Sequence, residues 1–198
     1  MTTVCEIIFL MLTYVLGSIP VGYLLTKFYT GKNILELGSG NIGSTNVKRV
    51  TNKKLSIITQ LLDMLKGFLP VVLFLVFNPL VSTPYYVLLL ALTAIIGHDF
   101  SLFLKFKGGK GVNTTLGASV LLAPYSVFIA VSLYFIVKRQ FKYVSLGSIA
   151  IALIMPLIEI LLYGLTPTFY YLLTCSFLII YLHRKNIVRL IKGNELDS

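Results

Sequence analysis

GVNTTLGASVLLAPYSVFIAVSLYFIV, residues 111–137, is the stretch on which the fold turns. Its 27 residues suffice for one membrane-spanning helix or for two short ones, since about 20 apolar residues cross a hydrocarbon core of about 30 Å. Lys105, Lys107 and Lys110 precede it, and Lys138, Arg139 and Lys142 follow it. A single span would put these two basic groups on opposite faces of the membrane. A turn at Ala123-Pro124 returns them to one face, and the bias of a pre-proline residue away from the α region gives that turn a local cause. The positive-inside rule selects the second arrangement.

The rest of the chain repeats the pattern. Of the seventeen Lys and Arg residues, only Lys66 lies outside four short segments, Lys27–Lys54, His98–Lys110, Lys138–Lys142 and His183–Ser198. The N-terminus, Asn78–Pro84 and Tyr163–Pro167 carry none. Apolar runs at about Val4–Thr26, Leu55–Phe77, Tyr85–Gly97, Val144–Tyr163 and Thr168–Leu182 join the two halves of 111–137 as candidate spans. The fold class expected is an all-α integral membrane protein of seven transmembrane helices, a single domain over residues 1–198, with the N-terminus outside and the C-terminus cytoplasmic. The fourth and fifth helices, at about 13 residues each, would run only about 20 Å and so would pack inside the bundle. The first apolar run has no basic residues before it and no small-residue cleavage site, and reads as a retained span.

Composition agrees. With 57% hydrophobic residues and a mean hydropathy of +0.89, a water-soluble domain would lack a polar surface. A net charge of +10 could suit nucleic acid, but here it sits in loops beside apolar spans, which excludes that class. Cys5 and Cys175 lie in apolar runs without CxxC spacing or a histidine cluster and read as small buried hydrophobes, so neither a disulfide framework nor a metal is expected.

Two cationic loops carry the chemistry. The first reads Gly38-Ser39-Gly40-Asn41-Ile42-Gly43-Ser44-Thr45-Asn46, then Lys48 and Arg49. Closely spaced glycines let backbone N–H groups converge on an anion, and Ser39, Asn41, Thr45 and Asn46 add side-chain donors. It is no P-loop, because no Gly-Lys-Ser/Thr follows, and no dinucleotide fingerprint, because no strand precedes it. A flexible Gly-Ser linker shares the composition but rarely ends in a basic helix start. The second loop runs from His98 through Phe100, Phe103 and Phe106 to Lys107-Gly108-Gly109-Lys110-Gly111. Two lysines around paired glycines lead into a helix start at Val112, where the dipole favours an anion. A solvated turn obeying the positive-inside rule is the plainer alternative. Within the second span, Asp63 and Lys66 are an i,i+3 acid–base pair, and ionisable groups at that depth must face the bundle. A supporting role, orienting the glycine loop, is expected of them. Glu159 is a parallel buried acid in the sixth span, with no partner identifiable from sequence.

These residues carry a resemblance covering nearly the whole chain. Gly17-Ser18-Ile19-Pro20 with Gly22, the Gly38–Asn46 loop, Asp63-x-x-Lys66-Gly67, Gly97-His98 leading to Phe106–Val112, Tyr143–Leu146, and the tail His183-Arg184-Lys185-Asn186-Ile187-x-Arg189-Leu190 with Gly193 and Glu195 resemble the bacterial PlsY family. Ser44 and Asn113 stand where that family commonly has Ala. Its members are membrane acyltransferases that use acyl-phosphate and glycerol 3-phosphate. The resemblance implies an enzyme of the bacterial cytoplasmic membrane, with its active site on the cytoplasmic side and lysophosphatidic acid and phosphate as products. It implies no metal or other cofactor, no coenzyme A and no acyl carrier protein, and a monomer. Catalytic roles are expected of Ser39, Lys107 and His183. Substrate binding is expected of Gly38, Gly40, Asn41, Gly43, Thr45, Asn46, Arg49, Gly108, Gly109, Lys110, Ser145 and Asn186, with Asp63, Lys66 and His98 in support. An anion or phosphate transporter is the rival reading, because half-length helices with N-termini aimed at anions are a transporter device. Against it, nearly all polar residues lie on one side.

Overall fold

In a computed structural model of the protein, the described residues are 2–77, 81, 83 and 85–196, and among them every regular element is helical. The chain divides into two compact units, one ending at Leu121 and one starting at Leu122. The first holds α1 (Thr2–Ser18), α2 (Val21–Thr30), α3 (Ser44–Val50), α4 (Lys53–Phe77), α5 (Tyr86–Asp99) and α6 (Val112–Ser119). The second holds α7 (Pro124–Phe141), α8 (Val144–Tyr163), α9 (Pro167–Leu182) and α10 (Arg184–Ile191).

In the first unit, the apolar run expected as one helix over Val4–Thr26 is interrupted. Proline lacks an N–H and disfavours helix in the residue before it, so α1 ends at Ser18 and α2 starts after Pro20. Val4, Ile8, Met11 and Val15 form an exposed stripe along α1 that water would penalise and hydrocarbon accepts. Cys175 is buried, as read from sequence, but Cys5 is exposed on this helix. Thr3–Thr30, Lys53–Phe77, Tyr86–Leu104 and Val144–Tyr163 are, among the described residues, long and apolar enough to cross a membrane. Of the loop expected over Asn78–Pro84, residues 78–80, 82 and 84 lie outside the described residues, as do 197 and 198 of the basic tail.

The helix break expected at Ala123-Pro124 is present, with Pro124 in the first turn of α7. The two equal halves are not. α6 has 8 residues and α7 has 18, about 12 Å against about 27 Å of helix. α7 continues through Lys138 and Arg139 because cations are favourable in a last turn, and Lys138 Nζ lies 5.8 Å from the Tyr134 ring centroid. An 8-residue helix is marginal alone; α6 is held by close packing on α4. A Cβ on Gly67 would run into the Thr114 carbonyl, and one on Gly117 into the Met64 carbonyl. Small residues facing each other let two helix backbones approach where side chains would hold them apart.

In the second unit, the partner that sequence could not name for Glu159 is on α7. Ser126 Oγ donates to Glu159 Oε2 over 2.6 Å, with both side chains buried. The hydrogen bond satisfies an acid that would otherwise be costly inside an apolar bundle.

Candidate functional site

The first glycine loop is built over an apolar cluster of Ile34, Ile42, Val47 and Leu55. Its shape is set from within by Asn46, which is 2% exposed. Asn46 Nδ2 donates to the carbonyls of Leu37 (3.0 Å) and Asn41 (2.8 Å), while its Oδ1 accepts from Ser39 N–H at 2.8 Å. Gly38 adopts φ +58°, and a Cβ there would fall on Asn46 Oδ1. Asn41 Oδ1 in turn accepts from Gly43 N–H at 2.8 Å. The Asn46 amide and the N–H groups of Ser39 and Gly43, read from sequence as donors toward an anion, are therefore engaged within the loop region itself. What the loop presents, half-buried, is Ser39, Ser44, Thr45 and Arg49.

The second loop leans on the end of α5. Gly108 N–H donates to Asp99 O at 3.1 Å and Gly109 N–H to His98 O at 2.9 Å. The Gly109 backbone lies against the His98 imidazole so closely that a Cβ would meet Nε2, so only glycine fits. Ser101 Oγ donates to Ser18 O at 2.6 Å and Tyr14 Oη to Phe100 O at 2.7 Å, which pins the loop's entry to α1. Lys107 is exposed and Lys110 half-buried.

The two loops meet. Leu104 of the second packs on the apolar cluster beneath the first, and Asn113 Nδ2, in the first turn of α6, donates to Ser44 Oγ at 3.4 Å. Ser44 O also accepts from Ser56 Oγ at 2.8 Å. Both Gly-rich segments, 69 residues apart in sequence at that bond, thus form one cationic surface of the first unit. The residues making the link are the two that depart from the resembling family's pattern.

Beneath this surface lies a buried polar cluster. Lys66 Nζ pairs with Asp63 Oδ1 at 3.0 Å and donates to Ile19 O at 3.0 Å. His98 Nδ1 stands 3.6 Å from the same Asp63 oxygen. Lys66 therefore holds the α1–α2 break, and the reach toward a glycine loop runs through Asp63 and His98 to the second loop. Sequence reasoning missed Asp99. It is 2% exposed, neither carboxylate oxygen has a hydrogen-bond partner among the described residues, and both would lie 3.0 Å from a Cβ on Gly111. The available signal was an acid closing an apolar run immediately before a basic loop.

The second unit carries Ser145, His183 and Asn186. Ser145 is buried in the first turn of α8. His183, 3% exposed at the end of α9, bonds through Nδ1 to Ile179 O at 2.8 Å. A carbonyl only accepts, so Nδ1 carries a hydrogen in this contact. Asn186 Nδ2 donates to Glu195 Oε1 at 2.7 Å, and Arg189 Nε to Glu195 Oε2 at 2.9 Å. Gly193, at φ +69°, turns the chain after α10, with Asn194 N–H on Arg189 O at 3.0 Å, a left-handed cap that brings Glu195 back over the helix. This explains the spacing of Asn186, Arg189, Gly193 and Glu195 in the tail. Among the described residues no group of three or more His, Cys, Asp or Glu side chains could hold a metal ion.

Comparison with known proteins agrees in kind. The sequence model of the family described as "Glycerol-3-phosphate acyltransferase" matches residues 7–193. A glycerol-3-phosphate acyltransferase of Clostridium acetobutylicum is 43% identical over 194 residues, spanning 96% of this chain and 98% of its own. One from Fusobacterium nucleatum is 37% identical over 94% of this chain and 95% of its own. The crystal structure of PlsY (YgiH), an integral membrane glycerol 3-phosphate acyltransferase in its glycerol 3-phosphate form, superposes with a TM-score of 0.89 at 30% identity, covering 98% of this chain and 96% of that one. The fold is thus that of a multi-pass membrane protein.

The buried pair predicts an asymmetric mutational result. Asp63→Leu leaves the Lys66 ammonium buried beside one carbonyl and is expected to destabilise by roughly 3–5 kcal/mol, whereas Asp63→Leu with Lys66→Met removes both charges and recovers most of that loss. Thermal unfolding in detergent checks it. A double variant no more stable than the single one contradicts the pairing.

Proposed function

The chain belongs to the glycerol-3-phosphate acyltransferase family, and from that premise we propose that it moves the acyl group of an acyl-phosphate to the sn-1 hydroxyl of glycerol 3-phosphate. Lysophosphatidic acid and inorganic phosphate are released, as the first step of phospholipid synthesis. The observation that carries this reading is the meeting of two cationic Gly-rich loops, Leu104 of the second packing on the apolar cluster that underlies the first. Two phosphate-bearing substrates need two anion-binding elements close enough for one to attack the other. A long acyl chain explains why the site belongs at a bilayer.

In the proposed chemistry the C1 hydroxyl oxygen attacks the acyl carbon. The bond between that carbon and the phosphate oxygen breaks, and the hydroxyl proton passes to the departing phosphate. The departing phosphate dianion, taken to have a second pKa of about 6 as in phosphorylated side chains, is a competent weak base near pH 7. The protein then acts by positioning and by charge stabilisation. Ser39 donates to the developing oxyanion, and Lys107 with Arg49 and Lys110 meets phosphate. Gly108 and Gly109 let the backbone approach; Gly38, Gly40, Asn41, Gly43, Thr45 and Asn46 shape and line the first cradle. For Ser145, His183 and Asn186 the substrate role rests on the tail and α8 motifs. No metal, other cofactor, coenzyme A or acyl carrier protein is required in this scheme, and a monomer suffices.

The topology proposed with it has seven transmembrane helices in a single domain of the bacterial cytoplasmic membrane, N-terminus outside, with the basic loops and the C-terminus on the cytoplasmic side. Tyr125, 62% exposed at the start of α7, is the probe of choice, since Ser126 is buried on Glu159. With Cys5 and Cys175 replaced by Ala, Tyr125→Cys is expected to react with an impermeant thiol reagent added outside and Asn52→Cys not to. Labelling of Asn52→Cys from outside contradicts this topology.

Purified protein in detergent, given only acyl-phosphate and glycerol 3-phosphate, is expected to release phosphate and lysophosphatidic acid; absence of turnover until coenzyme A or acyl carrier protein thioesters are supplied refutes the donor assignment. Lys107→Ala and Arg49→Ala should each lower kcat/KM by about 10- to 150-fold, the worth of a charge-assisted bond to phosphate, roughly 1.5–3 kcal/mol. Lys32→Ala should leave it within about twofold, as a solvated charge contributes little. Equal losses at all three positions would remove any special role for the loop cations.

A further inference from the structure

The outer face of α10 joins exposed cations to protruding aliphatic side chains. Arg184, Lys185, Val188, Ile191 and Lys192 are all exposed, and their spacing of 0, 1, 4, 7 and 8 residues puts them on one side of the helix. Val188 is 50% and Ile191 81% exposed, and Leu196 just beyond is 38% exposed. The opposite side is fixed inward by Asn186 and Arg189 on the buried Glu195, so that carboxylate is engaged on the side away from Arg184, Lys185 and Lys192. The helix follows the apolar α9 after a single residue, His183, and the Arg184 guanidinium lies 4.4 Å from the Tyr181 ring centroid at that junction.

A helix with protruding aliphatic side chains flanked by cations, starting where an apolar helix ends, has the composition of a segment lying in the membrane interface. We propose that this face of α10 is a docking surface for anionic lipid headgroups: Val188 and Ile191 enter the acyl boundary while Arg184, Lys185 and Lys192 meet headgroup phosphates. The choice of an anionic over a zwitterionic headgroup rests on charge complementarity. Three cations face outward, and each Lys or Arg near an anionic surface favours it roughly fivefold. Anionic lipid would thereby hold α10, and with it the Asn186–Glu195–Arg189 arrangement on its inner side.

The chain has no Trp, so Ile191→Trp makes a single fluorescent reporter on this face. In vesicles of equal phosphatidylglycerol and phosphatidylcholine, brominating one lipid at a time is expected to quench the reporter at least about fivefold more from phosphatidylglycerol. Leu161→Trp, at the other end of α8 and 71% exposed, serves as the control, with quenching by the two lipids within about twofold. Arg184→Gln, Lys185→Gln and Lys192→Gln together should abolish the preference at 191; Lys185→Gln with Lys192→Gln, should the triple variant not fold, should reduce it several-fold. Salt supplies a check without charge substitutions, since at about 1 M the Debye length falls to roughly 3 Å and the preference should collapse. Equal quenching by both lipids at 191, or a preference unmoved by charge removal or by salt, overturns the proposal. The outcome is independent of turnover, so it stands or falls separately from the catalytic assignment.

Discussion

The Lys66 ammonium, buried between Asp63 and the carbonyl of Ile19, is the constraint on which the first unit depends. An unpaired charge inside an apolar bundle is expensive, on the order of 2.5–3.5 kcal/mol on insertion scales, so its partners are fixed with it. Asp63 belongs to the same helix, α4. Ile19 belongs to the break that Pro20 imposes between α1 and α2, where a carbonyl is left without a helical partner. His98, 3.6 Å from Asp63, extends the cluster to the end of α5 and, through its packing on Gly109, to the second cationic loop. One buried cation thus ties three helices and the base of a loop to a common geometry.

That arrangement accounts for a site made from loops. Loops are ordinarily the mobile part of a fold, and positioning chemistry tolerates little slack. Here Asn46 braces the first loop from inside, His98 and Asp99 hold the second by their carbonyls, and the Asn113–Ser44 bond joins them. In the proposed reaction the side chains assigned to phosphate, Lys107, Arg49 and Lys110, are not among these shape-keeping groups.

Much of this is legible in the amino-acid sequence alone. The helix break at Pro124, the full extent of Val144–Tyr163 and the depth of the Asp63–Lys66 pair follow from proline geometry, apolar run length and the cost of a buried charge. The lengths of α6 and α7 are not legible there, because Gly67 and Gly117 matter only once α4 and α6 are known to touch, and because a helix can carry cations in its last turn. Nor are the roles of Asn46 and Glu195: composition reports that an amide or carboxylate is present, not whether it faces inward. The same limit hides Asp99 and the partnership of Ser126 with Glu159, since both depend on which faces of separate helices come together.

The central claim is that the two cationic loops act as one site, and a double-mutant cycle on kcat/KM for Arg49→Ala and Lys107→Ala tests it directly. If the loops hold two phosphates of a single reacting pair, the two losses are coupled, and the double variant departs from the product of the single effects by at least about 0.5 kcal/mol, beyond the usual error for independent positions. Losses that multiply within that error would mean that the two loops work separately, and would contradict the account.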